Sequence, residues 1–200
     1  NHYESTASKA WLARRAAPGL EVFGGIALNL TVGGINAAAV ERMRRVDGGW
    51  GRIVWMPTFD SENQVRVLKE TRPSVAVSRG GKLLPEVLAV LDLIAKHDLV
   101  LATGHSTPAE DLMLVREARA RGAKRMVVTH GMLPPVSMSV EQMKQAAGMG
   151  ALIEFVGNAM IGTTKSVEFA DYASAVKQVG VEHCILSSDL GQAGNPLHTD

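Results

Sequence analysis

The chain has 200 residues, of which 46% are hydrophobic and 20% charged, and its 21 basic side chains nearly balance 20 acidic ones. This length suffices for one domain with a substantial core. The near-neutral charge argues against nucleic-acid and anionic-membrane partners, and no apolar run reaches the ~20 residues of a membrane-spanning helix. A small-molecule substrate is therefore the expected partner, with homo-oligomerisation left open. The single cysteine, Cys184, excludes an internal disulfide and favours a reducing, cytoplasmic setting.

Strands and helices are expected to alternate along the chain. Continuous apolar runs predict buried strands, and the periodic segments between them predict helices. A capping box, Thr107 with Glu110, begins one helix, and Ser139 with Gln142 begins the next. In chain order, the predicted elements are helix 8–17, strand 20–28, helix 36–45, strand 52–57, helix 84–96, strand 99–103, a helix from 107, strand 125–129, a helix from 139, strand 151–156, helix 167–178 and strand 184–188.

This alternation predicts the fold class. The predicted strands recur at about the 30-residue spacing of βαβ crossovers, which implies an α/β fold with a parallel sheet covered by helices. Six strands are visible and residues 1–3 resemble the tail of a seventh, so we expect a distorted (β/α)8 barrel of the TIM type that lacks strand one and the last helix. An open doubly wound sheet is the alternative, but neither G-x-G-x-x-G nor a Walker pattern is present.

We expect residues 1–200 to form a single domain that is truncated at both ends, because the chain starts at Asn1 and stops just after an apolar strand. One stretch interrupts the alternation and predicts a lid-like insertion at about 60–82. It contains a β-like run that leads into Arg79 and Lys82, so we expect a small hairpin over the catalytic face. Arg79 and Lys82 are candidates for binding an anionic substrate group, with a solvated turn as the alternative.

Two histidines and an aspartate directly follow predicted strands. They are His105 in LATGHS, His130 in VVTHG and Asp189 in ILSSDLG. In a (β/α)8 barrel the C-terminal strand ends meet at the catalytic face. A lone histidine there is more often a hydrogen-bonded core residue, but three such side chains on separate strands favour a metal site. Imidazole and carboxylate ligands together suit Zn, Mn, Fe or Ni.

Other polar residues are weaker candidates. Glu154 lies inside a strand, where a buried carboxylate is costly unless it is paired or near a metal. It is therefore a candidate acid–base group, with a structural role as the alternative. His2 and His198 are candidates for substrate contact because both fall at the expected catalytic face. Asn29 and Asn158 lie at strand ends, where they are candidates for hydrogen bonds to a substrate.

The motifs NHYES, VWMPT, GHS, THGM and SSDLGQ resemble those of the amidohydrolase superfamily of metal-dependent hydrolases, in particular an uncharacterised branch of small members. The resemblance covers essentially the whole chain. It implies a distorted barrel whose metal ligands include a histidine ending strand five, a histidine ending strand six and an aspartate ending strand eight. These positions match His105, His130 and Asp189.

The resemblance implies an enzyme that uses a metal-activated water to cleave an amide, ester, lactone or phosphoester bond. Asp189 would move the proton of that water, and His130 would bind the metal or polarise the substrate. The superfamily's H-x-H pair is absent from these residues, and strand four ends without a bridging ligand at 53–58. The missing bridging ligand favours a single divalent ion. The expected ion is Zn, with Mn, Fe or Ni as alternatives. The alternatives are a metal-dependent decarboxylase or other lyase, and a non-catalytic barrel that has lost its metal.

Overall fold

A computed structural model describes residues 2–161 and 165–189, which form eight strands and seven α-helices. The strands are β1 (Gly24–Ala27), β2 (Gly51–Trp55), β3 (Ser78–Arg79), β4 (Lys82–Leu83), β5 (Val100–Ala102), β6 (Arg125–Val128), β7 (Ala151–Val156) and β8 (Cys184–Ser187). The helices are α1 (Ala7–Ala16), α2 (Ala37–Arg44), α3 (Glu62–Val67), α4 (Pro85–Lys96), α5 (Pro108–Ala120), α6 (Val140–Gly148) and α7 (Phe169–Val179). None of these helices is long and apolar enough to cross a membrane.

The main sheet is parallel and follows the chain in the order β1-β2-β5-β6-β7-β8. All five pairings within it are parallel, as in the register Met126 opposite Ala151 between β6 and β7. The predicted α/β class with a parallel sheet is therefore confirmed. The strand order does not reverse within the described sheet, whereas a doubly wound sheet requires such a reversal. No closed barrel forms among the described residues, since β1 and β8 are the two sheet edges.

Helices cover the sheet and complete one core. Neighbouring helices α4, α5, α6 and α7 pack side by side, and their apolar faces meet the strand side chains in a single buried cluster. Val54, Leu101 and Ile153, on three different strands, are fully buried. Burial of each such side chain contributes roughly 1.5–3 kcal/mol relative to exposure. The continuous apolar runs that predicted the strands are thus explained by burial beneath a helical layer.

Helix starts agree closely with the sequence prediction. Both predicted capping boxes are present: Thr107 with Glu110 begins α5, and Ser139 with Gln142 begins α6. In each box the N-cap side chain accepts from a backbone N–H three residues later, and the Glu110 or Gln142 side chain accepts from the N-cap N–H. These short-range hydrogen bonds satisfy otherwise orphaned donors, so local sequence alone predicts them.

The prediction at the N-terminal part of the chain is corrected in two respects. Residues 2 and 3 form no strand, and the predicted strand 20–28 is only the four residues of β1. Thr6 lies along β1 instead: its N–H donates to the Gly25 carbonyl at 2.9 Å, and the Gly25 N–H donates to its hydroxyl at 2.9 Å. These two hydrogen bonds occupy the backbone groups of Gly25 at the sheet edge.

The predicted insertion contains a hairpin and a helix. The hairpin is confirmed: β3 and β4 pair antiparallel across Gly80 and Gly81, whose φ angles of 56° and 72° suit a tight turn. Helix α3 was not predicted. Ser61 caps it by accepting from the Gln64 N–H at 3.0 Å, so the Ser-x-x-Gln pattern of a capping box was present in the sequence and overlooked.

Asp111 is a buried acid in the first turn of α5. It is 0% exposed, and neither carboxyl oxygen has a well-formed hydrogen bond within the described residues. Burial raises the pKa of Asp111 well above its ordinary value, and the neighbouring Thr103 hydroxyl offsets only part of this effect. Asp111 is therefore protonated in the folded protein at pH values where it is ionised in the unfolded chain.

We expect Asp111→Asn to flatten the pH dependence of stability. The pKa of Asp111 is higher in the folded protein than in the unfolded chain. The contribution of Asp111 to the free energy of unfolding is therefore fully present below about pH 4, and it is lost as the pH rises toward the folded pKa. The free energy of unfolding of the variant, relative to wild type, should rise by up to ~1.4 kcal/mol per pH unit in that window. Urea unfolding across pH measures this difference. Asp171→Asn, at an exposed aspartate in the first turn of α7, is the control and should show no such slope.

Candidate functional site

The strand ends bring the predicted side chains into one cavity of about 400 Å³, called here the main cavity. Residue 105 lies three residues beyond β5, residue 130 two beyond β6, and residue 189 two beyond β8. The N-terminal segment contributes His2, although it forms no strand. The main cavity is lined by the predicted site residues His2, His105, His130, Asn158 and Asp189.

His105 is the most buried of these side chains, at 5% exposure. Its Nδ1 is hydrogen-bonded to the Gln64 amide oxygen, which can only accept, so Nδ1 carries the ring proton. Nε2 therefore bears the lone pair, and it is buried with no hydrogen-bond partner among the described residues. Burial, followed by the nearby His130 and His2, lowers the pKa of His105 to about 3. The ring is thus neutral, with one unused electron-pair donor.

His130 lies next to His105, and Asp189 lies next to His130. The rings of His130 and His105 have centroids 5.1 Å apart, and Nε2 of His130 is 3.6 Å from Oδ2 of Asp189. Both His130 and Asp189 adopt left-handed backbone conformations, with φ of 48° and 50°. Such angles are uncommon outside glycine. The side-chain amide of Asn158 donates to Oδ2 and to the carbonyl of Asp189, each at 3.3 Å, and so helps to orient the carboxylate.

Glu154 lies in an adjoining cavity of about 150 Å³, which also touches His105, His130 and Asp189. Its carboxylate accepts from the Ser187 hydroxyl at 2.8 Å and from the His130 N–H at 3.3 Å. Glu154 therefore connects β7 to β8 and to the turn after β6. These hydrogen bonds give the half-buried carboxylate a structural role, and its predicted acid–base role stays a prediction.

A polar network at the ends of β1 and β2 holds His2. The His2 Nδ1 is 2.8 Å from the Thr58 hydroxyl, and its ring lies on Phe59 with centroids 4.0 Å apart. Asn29, 1% exposed, donates to the Thr58 hydroxyl at 2.8 Å and to the His2 carbonyl at 3.0 Å. Burial lowers the pKa of His2. Thr58 was not predicted as a site residue, although it follows an apolar strand as His105 and His130 do.

Two predicted substrate-binding residues are not brought to these cavities. Arg79 lines neither of them; its side chain is 72% exposed and pairs with Glu62 at 3.3 Å. Lys82 lines a separate surface cavity beside α5. The expectation that this hairpin places a cation at the site is therefore not supported by its position. His198 lies outside the described residues.

Helix α3, and not the hairpin, is the part of the insertion that faces the site. Gln64, Val67 and Leu68 all line the main cavity. The hairpin lies against α5 instead, where the Ser78 hydroxyl donates to the Glu110 carboxylate at 2.7 Å. The insertion thus covers part of the cavity, and its action as a lid stays a prediction.

The residues fit a metal ion only in part. Nε2 of His105 is an unpartnered nitrogen donor, and His130 supplies a second imidazole beside it. Within residues 2–161 and 165–189, however, no three His, Cys, Asp or Glu side chains form a cluster that could by itself hold a metal. The chain as described therefore offers a pair of imidazoles with an adjacent carboxylate, and the predicted metal site stays a prediction.

Solved structures of two hydrolases share this fold. One is an amidohydrolase from Pseudomonas aeruginosa, at 14% identity and a TM-score of 0.53, over 80% of this chain and 48% of that one. The other is an N-acetyl-D-glucosamine-6-phosphate deacetylase from Mycobacterium smegmatis, at 16% identity and a TM-score of 0.53, over 96% and 46%. The chain spans about half the length of these two proteins. At such low identity the likeness concerns the fold alone.

The sequence itself places the chain in a family. Residues 1–154 match the family described as "Family of unknown function (DUF6282)", and the chain belongs to it. Comparison with curated proteins gives no match. The family is therefore established by sequence, and the fold is shared with these two structures.

We expect His105 to remain neutral, with its proton on Nδ1, between about pH 5 and pH 8 in metal-free protein, because its pKa is far below that range. Long-range ¹H–¹⁵N NMR correlations report the protonation state of each ring nitrogen. Gln64→Leu removes the acceptor at Nδ1 and should mix the two neutral tautomers. Gln145→Leu, on an exposed part of α6, should change nothing. Protonation of the His105 ring near its ordinary pKa of about 6.5 would contradict the assignment.

Proposed function

We propose that this protein is a metal-dependent hydrolase that cleaves an amide, ester, lactone or phosphoester bond of a small molecule. The observation that carries the proposal is the buried, unpartnered Nε2 of His105, which lies beside His130 in the cavity that also holds Asp189. A buried polar atom without a partner is costly, and a metal ion would remove that cost. The proposal includes a cytoplasmic setting and closure of the sheet into a (β/α)8 barrel by strands outside the described residues.

His105 and His130 would hold one divalent ion, with Zn²⁺ favoured by nitrogen ligands and Mn, Fe or Ni as alternatives. Gln64 supports this role, because its contact with Nδ1 directs the proton away from Nε2 and fixes the ring. Asp189 is the available carboxylate, as a third ligand or as a base. When bound, such an ion would lower the pKa of water toward about 7 and polarise the bond to be cleaved.

Asp189 is the residue best placed to move protons. Its Oδ2 is near His130 and accepts from Asn158, so the carboxylate is held at the cavity wall. We propose that it accepts a proton from the attacking water and returns it to the leaving group. General acid–base help of this kind contributes about 10²–10⁴ in rate. Asn158 acts as a positioning residue, and Glu154 keeps the turn that carries His130 in place.

A non-catalytic relative of such enzymes is the second candidate. It is favoured by the lack of a three-ligand cluster among the residues that the structure describes. Under this alternative, His105 and His130 would be remnants of a site, and the main cavity would bind a small molecule without turnover. Metal analysis separates the two candidates directly.

We expect about one divalent ion per chain in the full-length protein and a loss of most of it in the His105→Ala, His130→Ala double variant, because both imidazole donors are removed. Elemental analysis after purification, and again after Zn²⁺ loading and dialysis, measures this. The control is a His97→Ala, His183→Ala double variant, since neither histidine lines the two cavities. Equal metal in all three proteins would remove the assignment.

We expect Asp189→Asn to reduce turnover by about 10²–10⁴ while the fold is retained, because the amide is nearly isosteric but is a poor base. A substrate screen of lactones, amides, esters and phosphoesters on the Zn²⁺-loaded wild type identifies the activity to be measured. Asp171→Asn should match wild type. Activity of Asp189→Asn within a few-fold of wild type would exclude Asp189 from proton transfer.

A further inference from the structure

The main cavity has a polar part and an apolar part. The polar part is formed by the histidines, Gln64, Asn158 and Asp189. The apolar part, called here the apolar rim, consists of Phe59, Val67, Leu68, Leu133, Pro134 and Pro135. Val67 and Leu68 are 42% and 54% exposed, so both present apolar surface at the mouth of the cavity. A cavity of about 400 Å³ is of the size that binds small ligands.

The two sides of the rim are tied together beside His105. The Asn63 side chain, in α3, donates to the Pro135 carbonyl at 2.8 Å and to the His105 and Ser106 carbonyls, each at 3.2 Å. Asn63 is 4% exposed. These hydrogen bonds join the helix that carries Val67 and Leu68 to the loop that carries the prolines. The rim is thus a wall held by hydrogen bonds beside His105, the residue that carries the unpartnered nitrogen.

Three arginines of the insertion are engaged by other side chains, and none of them lines the main cavity. Arg72 pairs with Asp60 and Glu70, and Arg79 pairs with Glu62. Arg66 donates to the Asn63 amide oxygen at 2.6 Å. None of the described residues that line the main cavity is a lysine or an arginine, whereas Asp189 is among them. Among the residues that the structure describes, an anionic group on a ligand would therefore meet no lysine or arginine at the rim.

We infer that the substrate carries a neutral alkyl or aryl group next to the bond that is cleaved, and that this group binds on the apolar rim. The inference rests on the proposed function for the bond, and on the rim alone for the group. It replaces the expectation of an anionic group bound by Arg79 and Lys82, and it favours amides, esters and lactones of apolar acids over phosphoesters. Each methylene buried on the rim should tighten binding by up to about fourfold.

The test is a binding experiment that needs no catalysis. Titration of metal-free protein compares neutral 4-phenylbutanamide with anionic glutaric acid monoamide, which has the same amide but a carboxylate in place of the phenyl group. We expect the phenyl amide to bind at least about tenfold tighter. Leu68→Lys should remove this preference, and Val67→Lys should weaken it. Leu12→Lys, at a 59% exposed leucine of α1 outside the cavity, is the matched control and should retain it.

Several outcomes would overturn the inference. They are equal or tighter binding of the anionic amide, no detectable binding of the phenyl amide at millimolar concentration, and a preference that survives in Leu68→Lys. A second titration of Zn²⁺-loaded protein with phenylbutyryl hydroxamate and acetohydroxamate separates this inference from the proposed function. If the phenyl preference holds but hydroxamates bind no tighter than the amides and no metal is retained, the rim stands and the metal-dependent activity fails.

Discussion

Parallel pairing of β5, β6, β7 and β8 determines where chemistry can occur in this protein. Parallel strands all end at the same sheet edge, and the loops that follow them meet there. His105, His130 and Asp189 come together for this reason, although long helices separate them in the sequence. Glu154 reinforces the arrangement, because it accepts hydrogen bonds from β8 and from the turn after β6.

Burial determines which polar groups at this sheet edge need a hydrogen-bond partner. Polar groups withdrawn from water must be hydrogen-bonded or remain costly. Asn29 and Asn63 illustrate the first case, since each is almost fully buried and bonds to several partners. Nε2 of His105 illustrates the second, because its ring is neutral and this nitrogen has no partner within the described part of the chain. At this sheet edge, the contrast between the satisfied amides of Asn29 and Asn63 and the unsatisfied Nε2 of His105 identifies the place where a ligand is expected.

The insertion between β2 and α4 shapes this place. Through Gln64 it sets the tautomer of His105, through Asn63 it joins two walls of the cavity, and through Val67 and Leu68 it supplies apolar surface. The adjacent hairpin lies against α5 and contributes no lining residue to the main cavity. The short helix α3 and its C-cap residue Leu68 therefore have two roles at the site. They position the ring proton of His105, and they form part of the apolar wall of the main cavity.

The sequence by itself determined the six parallel strands, both capping boxes and the grouping of His105, His130 and Asp189, because apolar runs, local caps and strand ends follow from short-range patterns. It did not determine the edge at Thr6, helix α3 as a wall of the cavity, or the outward position of Arg79. Those depend on which distant segments pack together: Thr6 on Gly25, Gln64 on His105, and Arg79 on Glu62. Only the tertiary structure decides such contacts, because they join residues far apart in the chain. The local sequence around each residue does not indicate which distant residue it will contact.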